Sequence, residues 1–141
     1  GSLHRGVDTV DIYPCLLDPS VVDSEPYRLV DYDLLTGREQ DQRCVARVAV
    51  SENTLTIDGE GSGPIEAFVT ALGETLNEPV TIQSFQEVAI GTGSDAQAIC
   101  IVSIEDREEG QRCYGIGLSR NTTTTALNAI ISAMNRRWSK S

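Results

Sequence analysis

Histidine, paired cysteines and long apolar runs are scarce in this sequence, and each shortage excludes a class of function. The 141 residues include one histidine, and none of the four cysteines forms a C-x-x-C pair, so a zinc site is not expected. No apolar run approaches the roughly 20 residues that span a bilayer. No basic segment followed by an apolar one resembles a secretory signal. We therefore expect a cytoplasmic protein without a membrane partner.

Basic residues are also few. The 11 lysine and arginine residues stand against 21 acidic ones, which gives a net charge of −10 at pH 7. Such a chain repels phosphate groups, so neither a nucleic acid nor an anionic membrane is an expected partner. The hydrophobic share of 40% and the charged share of 23% are those of a globular protein. A chain of 141 residues is long enough for one domain with its own core.

The cysteines are expected to be core residues. Cys100 and Cys113 lie in apolar, strand-like segments, which indicates buried thiols in a reducing compartment. A cysteine nucleophile would need His4 as its base. His4 lies within residues 1–25, which have mixed polarity and no sustained period. We interpret these residues as a linker or arm, with Gly1 and Ser2 as a cloning remnant.

Residues 26–78 predict three strands and a helix. The segment 27–35 is strand-like, and apolar and polar residues alternate over 43–50 and 54–58, the period of a strand with one buried face. Short polar turns between them predict an antiparallel meander. Apolar residues at 65, 68, 69, 72 and 76 then form the stripe of an amphipathic helix. This helix is expected to begin at Pro64, with Ser62 or Gly63 as its N-cap.

Residues 79–138 repeat this plan. Strands are expected over 80–90, 95–105 and 111–118, and a second helix with the same apolar spacing follows Asn121, its candidate N-cap. We therefore predict an α+β fold of two tandem βββα units, in which one helix packs each antiparallel three-stranded sheet. Because one such unit buries little apolar surface, we expect two units or two copies of the chain to pair.

Two helix starts and one strand start are candidate binding features. Glycines in the segment 59–63, expected to be a loop, free backbone N–H groups where the helix dipole favours an anion. Asn121 and the threonines after it begin the second helix with hydroxyl groups. Small residues in the segment 93–98 leave space beside a sheet. Each feature also has a structural interpretation, namely turn geometry, helix capping and helix packing.

Several motifs in one order resemble the C-terminal regulatory domain of 2-isopropylmalate synthase. They are DGEGSGPIEA at 58–67, GSDAQA at 93–98, YGIGL at 114–118, TT at 123–124, ALNAI at 126–130 and AMNR at 133–136. YRLVDY at 27–32 resembles that family's first regulatory strand. The similarity covers about residues 26–137, so we interpret residues 26–141 as the regulatory domain.

The resemblance implies feedback control rather than catalysis. Enzymes of that family condense acetyl-CoA with 2-oxoisovalerate, the committed step of leucine synthesis, in a separate TIM barrel that holds a divalent metal. This chain is then expected to be catalytically silent and to need no cofactor. Its expected partners are L-leucine as the effector, a second copy in a homodimer and the catalytic barrel of the same polypeptide. Leucine is expected to bind near the dimer interface.

A free amino acid needs N–H donors for its carboxylate, acceptors for its ammonium group and a small apolar pocket. The two helix starts can offer donors, and carbonyls of the glycine segment or Asp95 can accept from the ammonium group. By similarity, Ile65, Ile82, Phe85, Ala89, Ala96 and Ala98 form the pocket wall. The candidate effector-binding residues are Gly61, Ser62, Gly63, Ile65, Glu66, Ile82, Phe85, Ala89, Asp95, Ala96, Ala98, Asn121 and Thr122.

Other interpretations stay open. The regulatory domain of citramalate synthase, whose effector is isoleucine, is a close relative, and one methyl position is worth only about 1–3 kcal/mol of discrimination. A dimerisation module that has lost its ligand is a second alternative. Ser62 and Glu66 support it, because family members often carry Asn and a small apolar residue there. A small enzyme using a cysteine or a carboxylate pair would need a partner histidine or a cleft that the sequence does not indicate.

Overall fold

The predicted α+β fold of two βββα units is confirmed. The computed structural model describes residues 26–91, 93, 96–105 and 112–139. Its helices and strands are β1 (Tyr27–Thr36), β2 (Gln42–Val50), β3 (Asn53–Gly61), α1 (Pro64–Thr75), β4 (Ile82–Ile90), β5 (Gln97–Glu105), β6 (Arg112–Ser119) and α2 (Thr122–Ser139). A short 3-10 turn, Arg38–Gln40, connects β1 to β2. The strands form two antiparallel sheets, β1-β2-β3 and β4-β5-β6. The interpretation of residues 1–25 as an arm lies outside the described residues.

In the first unit, the alternation of β2 produces one buried face. Cys44, Ala46 and Val48 are fully buried, whereas Arg43 and Arg47 on the opposite face are exposed. Helix α1 packs on β3 and β2 and buries its apolar stripe against the face that carries Cys44, Ala46 and Val48. The helix residues Ala67, Phe68, Ala71 and Leu72 are all buried there.

The predicted glycine loop at 59–63 is wrong for residues 59–61, because β3 continues through Gly61. The glycines serve contact between the strand and the helix. A Cβ atom added at Gly61 would lie 2.6 Å from the backbone nitrogen of Ala67, and one added at Gly59 would overlap the backbone of Ala71. Glycine is therefore required at both positions because α1 lies with its backbone directly on β3.

The second unit uses the same contact. Gly115 and Gly117 on β6 face α2, and a Cβ atom added at Gly117 would lie 2.8 Å from the backbone nitrogen of Ala129. Helix α2 packs on β6 and β5. Its buried residues include Leu127, Ile130 and Met134. Both units thus bring a helix close to the last strand through two glycines spaced two residues apart.

We call the sheet faces turned away from the helices the outer faces, and these differ between the two units. On the first sheet, Arg47 pairs with Asp31, and Arg43 pairs with Asp58 through Nε–Oδ1 of 2.9 Å and Nη2–Oδ2 of 2.5 Å. On the second sheet the centre of this face is buried around Ile101 and Ile116, and Ser84 and Ser103 on it hydrogen-bond to each other through their hydroxyls at 2.5 Å. In the described part of the chain, no helix has the length and hydropathy needed to cross a bilayer.

Candidate functional site

The start of helix α1 leaves backbone donors without a side-chain cap. Gly63 is the N-cap, in an extended conformation with φ −155° and ψ 177°, and it carries no side chain to accept a hydrogen bond. Its carbonyl accepts from the N–H of Ala67 at 2.9 Å. Pro64 has no N–H, so the N–H groups of Ile65 and Glu66 are the first-turn donors that lack an intrahelical acceptor. These two donors and the helix dipole favour an anion.

Ser62 and Glu66 form the exposed rim of this helix start. The Ser62 hydroxyl donates to Glu66 Oε2 at 2.8 Å. A carboxylate in the first turn is stabilised by the helix dipole. Together with buried Gly61, Gly63 and half-buried Ile65, these residues lie at the junction of β3 and α1. The structure thus brings together five of the predicted site residues, all in the first unit.

Gln42 is a polar residue beside this junction that sequence reasoning missed. It is the register partner of Gly61, and its Oε1 atom is buried without a hydrogen-bond partner in the described part of the chain. A buried acceptor without a donor is unusual in a folded protein. In the sequence Gln42 is only the polar residue before an alternating strand, so no signal distinguishes it.

A second group of predicted residues lies on one face of the second sheet. Ala89 pairs with Ala98, Phe85 with Val102, and Ile82 with Ile104. Because α2 packs on β5 and β6, Ala98 is only 7% exposed, whereas Phe85 on the edge strand β4 is 42% exposed. These side chains form an open shelf along β4, on which the exposed Glu87 lies between Phe85 and Ala89.

The remaining residues near this shelf precede β5. Ala96 is half-buried, and its N–H donates to the carbonyl of Gly93 at 3.2 Å. Asp95, predicted to accept from an ammonium group, lies outside the described residues. A role for Asp95 therefore stays a prediction.

The start of helix α2 has the cap that α1 lacks. Asn121 Oδ1 accepts from the N–H of Thr124 at 2.9 Å, which confirms Asn121 as the N-cap. The Thr125 hydroxyl donates to the carbonyl of Asn121 at 2.9 Å. Thr122 begins the helix and is exposed. The capping interpretation therefore accounts for the hydrogen bonds at this start, and a ligand contact of Asn121 and Thr122 stays a prediction.

Comparison with known proteins places these features in a family. A family model described as the LeuA allosteric (dimerisation) domain matches residues 7–138. The chain belongs to this family. The resemblance to the regulatory domain of 2-isopropylmalate synthase is thereby confirmed.

Relatives of this LeuA-family chain are named 2-isopropylmalate synthase. The protein of Brucella suis biovar 1 is 33% identical over 111 residues, which cover 77% of this chain and 20% of the relative. That of Rhodospirillum rubrum is 36% identical over 97 residues, which cover 68% of this chain and 17% of the relative. That of Paraburkholderia phytofirmans is 28% identical over 134 residues, covering 95% and 23%. The chain thus spans about a fifth of the length of these relatives.

The thiols of this LeuA-family chain that the structure describes are buried, as predicted. Burial raises the pKa of Cys44 to about 11 and that of Cys100 to about 12, and Cys113 is also buried. A thiol with so high a pKa is almost entirely protonated at neutral pH and is a poor nucleophile. Cys15 and His4 lie outside the described residues. Within the described ranges, no group of three or more His, Cys, Asp or Glu side chains is placed to hold a metal ion.

Proposed function

We propose that this chain is the regulatory and dimerising domain of a 2-isopropylmalate synthase and that its effector is L-leucine. The observation that carries the proposal is the start of α1. Gly63 leaves the N–H groups of Ile65 and Glu66 without a side-chain cap, whereas Asn121 caps α2. A helix start with free donors suits the carboxylate of a free amino acid.

The names of the family and of the relatives support the rest of the proposal. The family is described as an allosteric, dimerisation domain, and a homodimer would cover the exposed apolar residues of β4. The relatives are named for 2-isopropylmalate synthase and are about five times longer than the matched segment. We propose that the additional length of the full enzyme holds a metal-dependent barrel that condenses acetyl-CoA with 2-oxoisovalerate. This domain itself performs no chemistry and holds no cofactor.

Feedback control then requires two packing arrangements of the dimer. Leucine can shift the balance between them only by binding one arrangement more tightly than the other. In the proposed complex the effector's carboxylate lies at the N–H groups of α1, and its ammonium group lies toward acceptors at the rim. Glu66 Oε1 is one such acceptor, because Oε2 already accepts from Ser62.

The same rim favours a second candidate, a dimerisation module without an effector. The hydrogen bond between Ser62 and Glu66 holds a carboxylate at the rim of α1. The Glu66 carboxylate repels the carboxylate of an effector. It also interacts favourably with the helix dipole, as the effector's carboxylate would otherwise do. Under this alternative the chain forms the dimer and binds no amino acid.

A calorimetric titration of the purified chain separates these candidates. L-leucine is titrated first, with L-isoleucine and L-lysine as matched controls, and sedimentation velocity reports the oligomeric state of the same sample. We expect a dimer that binds about one leucine per chain, more tightly than isoleucine and without heat from lysine. A preference for isoleucine would indicate a citramalate synthase domain. A folded dimer that gives no heat with any of the three would support the ligand-free module.

A further inference from the structure

Strand β4 is an edge strand that is open on both faces of its sheet. In the described part of the chain it pairs with β5 alone. Phe85 lies on the face that carries α2 and is 42% exposed, whereas Val88 lies on the outer face and is 48% exposed. Gln86, Glu87 and Ala89 are exposed as well. An edge strand with open faces and apolar side chains is a template for a further strand.

The opposite edge of each sheet is bonded by a helix side chain. On β6, the N–H of Ile116 donates to Ser132 Oγ at 3.1 Å. On β3, the N–H of Asp58 donates to Thr75 Oγ1 at 3.3 Å, and the Thr75 hydroxyl donates to the Asp58 carbonyl at 3.2 Å. Backbone groups that are bonded to a helix in this way are not available to a further strand.

Charge distinguishes β4 from β1, the edge strand of the first sheet. Strand β1 carries the exposed charged residues Arg28, Asp31 and Asp33. Charged side chains on an edge strand oppose the addition of another strand. In β4, by contrast, Glu87 is the only charged residue. Two copies of the chain would therefore meet with less repulsion at β4 than at β1.

We propose that β4 pairs antiparallel with the β4 strand of a second copy, about a two-fold axis at Gln86, so that a continuous sheet crosses the dimer. The inference rests on the proposed dimer, which the description of the family as a dimerisation domain supports. The β-bulge between Ile82 and Ser84 leaves the rest of β4 for this pairing. An axis at Gln86 places Glu87 opposite the partner's Phe85, whereas an axis at Glu87 would place two carboxylates opposite each other.

This pairing covers both exposed apolar side chains of β4. Side chains that lie diagonally across two antiparallel strands are within reach of an aromatic ring. Phe85 therefore contacts the partner's Phe85 on the face that carries α2. On the outer face, Val88 lies opposite the partner's Ser84. Both copies contribute the same residues, as a two-fold contact requires.

Disulfide cross-linking of the full chain tests the contact. Gln86→Cys is made in a Cys15→Ser background, because Cys44, Cys100 and Cys113 are buried. On mild oxidation we expect most of this variant to form a covalent dimer, since the axis brings the two new thiols together. The matched control is Asp33→Cys in the same background. It places a thiol at an exposed position of the edge strand β1 and should stay largely monomeric on a denaturing gel.

Sedimentation velocity of the same samples separates the failure of this inference from the failure of the proposed dimer. A native dimer in which Gln86→Cys forms no more cross-link than Asp33→Cys would overturn the β4 contact and leave the proposed dimer standing. A wild-type chain that sediments as a monomer would overturn both.

A charge substitution gives an independent test. Val88→Asp adds a carboxylate to each β4 strand close to the axis, where Glu87 is already present, and should raise the dissociation constant of the dimer at least about ten-fold. The control is Leu55→Asp, at a position of β3 that is 43% exposed, and it should leave that constant unchanged. Because both positions are exposed, both variants should fold, which circular dichroism checks. Equal dissociation constants for Val88→Asp and the wild-type chain would contradict the proposed pairing.

Discussion

The two βββα units share one plan and differ at two surfaces. Each places two glycines on its last strand, Gly59 and Gly61 in the first unit and Gly115 and Gly117 in the second, and each lays its helix backbone on those glycines. The shared features are thus those that a helix on a three-stranded sheet requires. The outer sheet faces and the helix starts are free to differ, because the fold does not depend on them.

The differences indicate separate roles for the two units. The first unit has a charged outer face and a helix start capped only by Gly63, so its polar groups remain available to water or to a ligand. The second unit has an outer face whose centre, at Ile101 and Ile116, is buried, and a helix capped by Asn121, a combination that suits contact with other protein segments. Four sets of substitutions and one titration test this comparison, beginning with the largest expected effect.

A charge introduced on an outer face should destabilise the second unit much more than the first, and this is the largest expected difference. Ile101→Asp places a carboxylate at a position that is 9% exposed, and we expect a loss of about 4 kcal/mol in the free energy of unfolding. Thr56→Asp makes a similar change on the first sheet, where Thr56 is exposed and faces Arg47, and should change stability by less than about 0.5 kcal/mol. Urea denaturation of both variants measures the difference. Equal losses in the free energy of unfolding would contradict the difference in burial between the two outer faces.

The glycine contacts should matter equally in both units. Gly59→Ala and Gly115→Ala each place a methyl group against the helix backbone, and we expect a loss of about 3 kcal/mol for each. Gly73, within α1, has no atom within 4 Å of a built Cβ. Gly73→Ala should therefore raise stability by about 0.5–1 kcal/mol through helix propensity. Wild-type stability in Gly59→Ala or Gly115→Ala would contradict the packing described for that unit.

The helix starts should respond in opposite directions. Asn121→Ala removes the acceptor of the Thr124 N–H and should cost about 1 kcal/mol, a fall of a few degrees in Tm. Gly63→Asn adds a side-chain acceptor at a position with open space around it and should stabilise the chain by a few tenths of a kcal/mol. Thermal unfolding of both variants at one protein concentration makes the comparison. A stabilising Asn121→Ala would show that this residue is not a helix cap.

The ion pairs of the first sheet should have the smallest effect. Hydrogen bonds from Arg47 and Arg43 lower the pKa of Asp31 and of Asp58 below the ordinary 3.8. Their stabilisation is therefore present above about pH 4 and lost as the pH falls through the lower folded-state values. All four side chains are exposed, so salt should screen it.

The double variant Asp31→Asn with Asp58→Asn tests the ion pairs. In low salt its Tm should fall less between pH 7 and pH 3 than that of the wild-type chain, and the difference should vanish in 1 M salt. An identical acid dependence in low salt would show that these pairs do not contribute.

Periodicity predicted most of the fold, because side-chain burial repeats every two residues in a strand and about every 3.6 in a helix. The alternation around Cys44 and Val48 and the stripe from Ile65 to Leu76 both correspond to observed elements. The main error, at residues 59–61, has a physical cause. Glycine suits a turn and also a close backbone contact, and only the tertiary position of α1 shows which applies. The sequence held one signal for the strand contact, because Gly115 and Gly117 occupy the same place before the second helix.

The candidate site was less predictable than the fold. Residue type identified Asn121 as a cap, since a cap depends on local sequence. It left both Ser62 and Gly63 as possible caps of α1, and the structure shows that Gly63 holds the position. The exposure of Phe85 could not be predicted, because it depends on which strands α2 covers. The orphaned Oε1 of Gln42 likewise depends on neighbours distant in sequence.

The most direct test of the proposed effector site is a calorimetric titration of L-leucine into wild-type chain and into Gly63→Asp. The new carboxylate has room and can accept from the first-turn N–H groups of α1, so the variant should fold with an unchanged or slightly higher Tm. It should also occupy the donors that the effector carboxylate needs and add like charge. We predict saturable binding by the wild-type chain and none by the folded variant. Leucine binding of equal affinity in both would contradict an effector site at the start of α1.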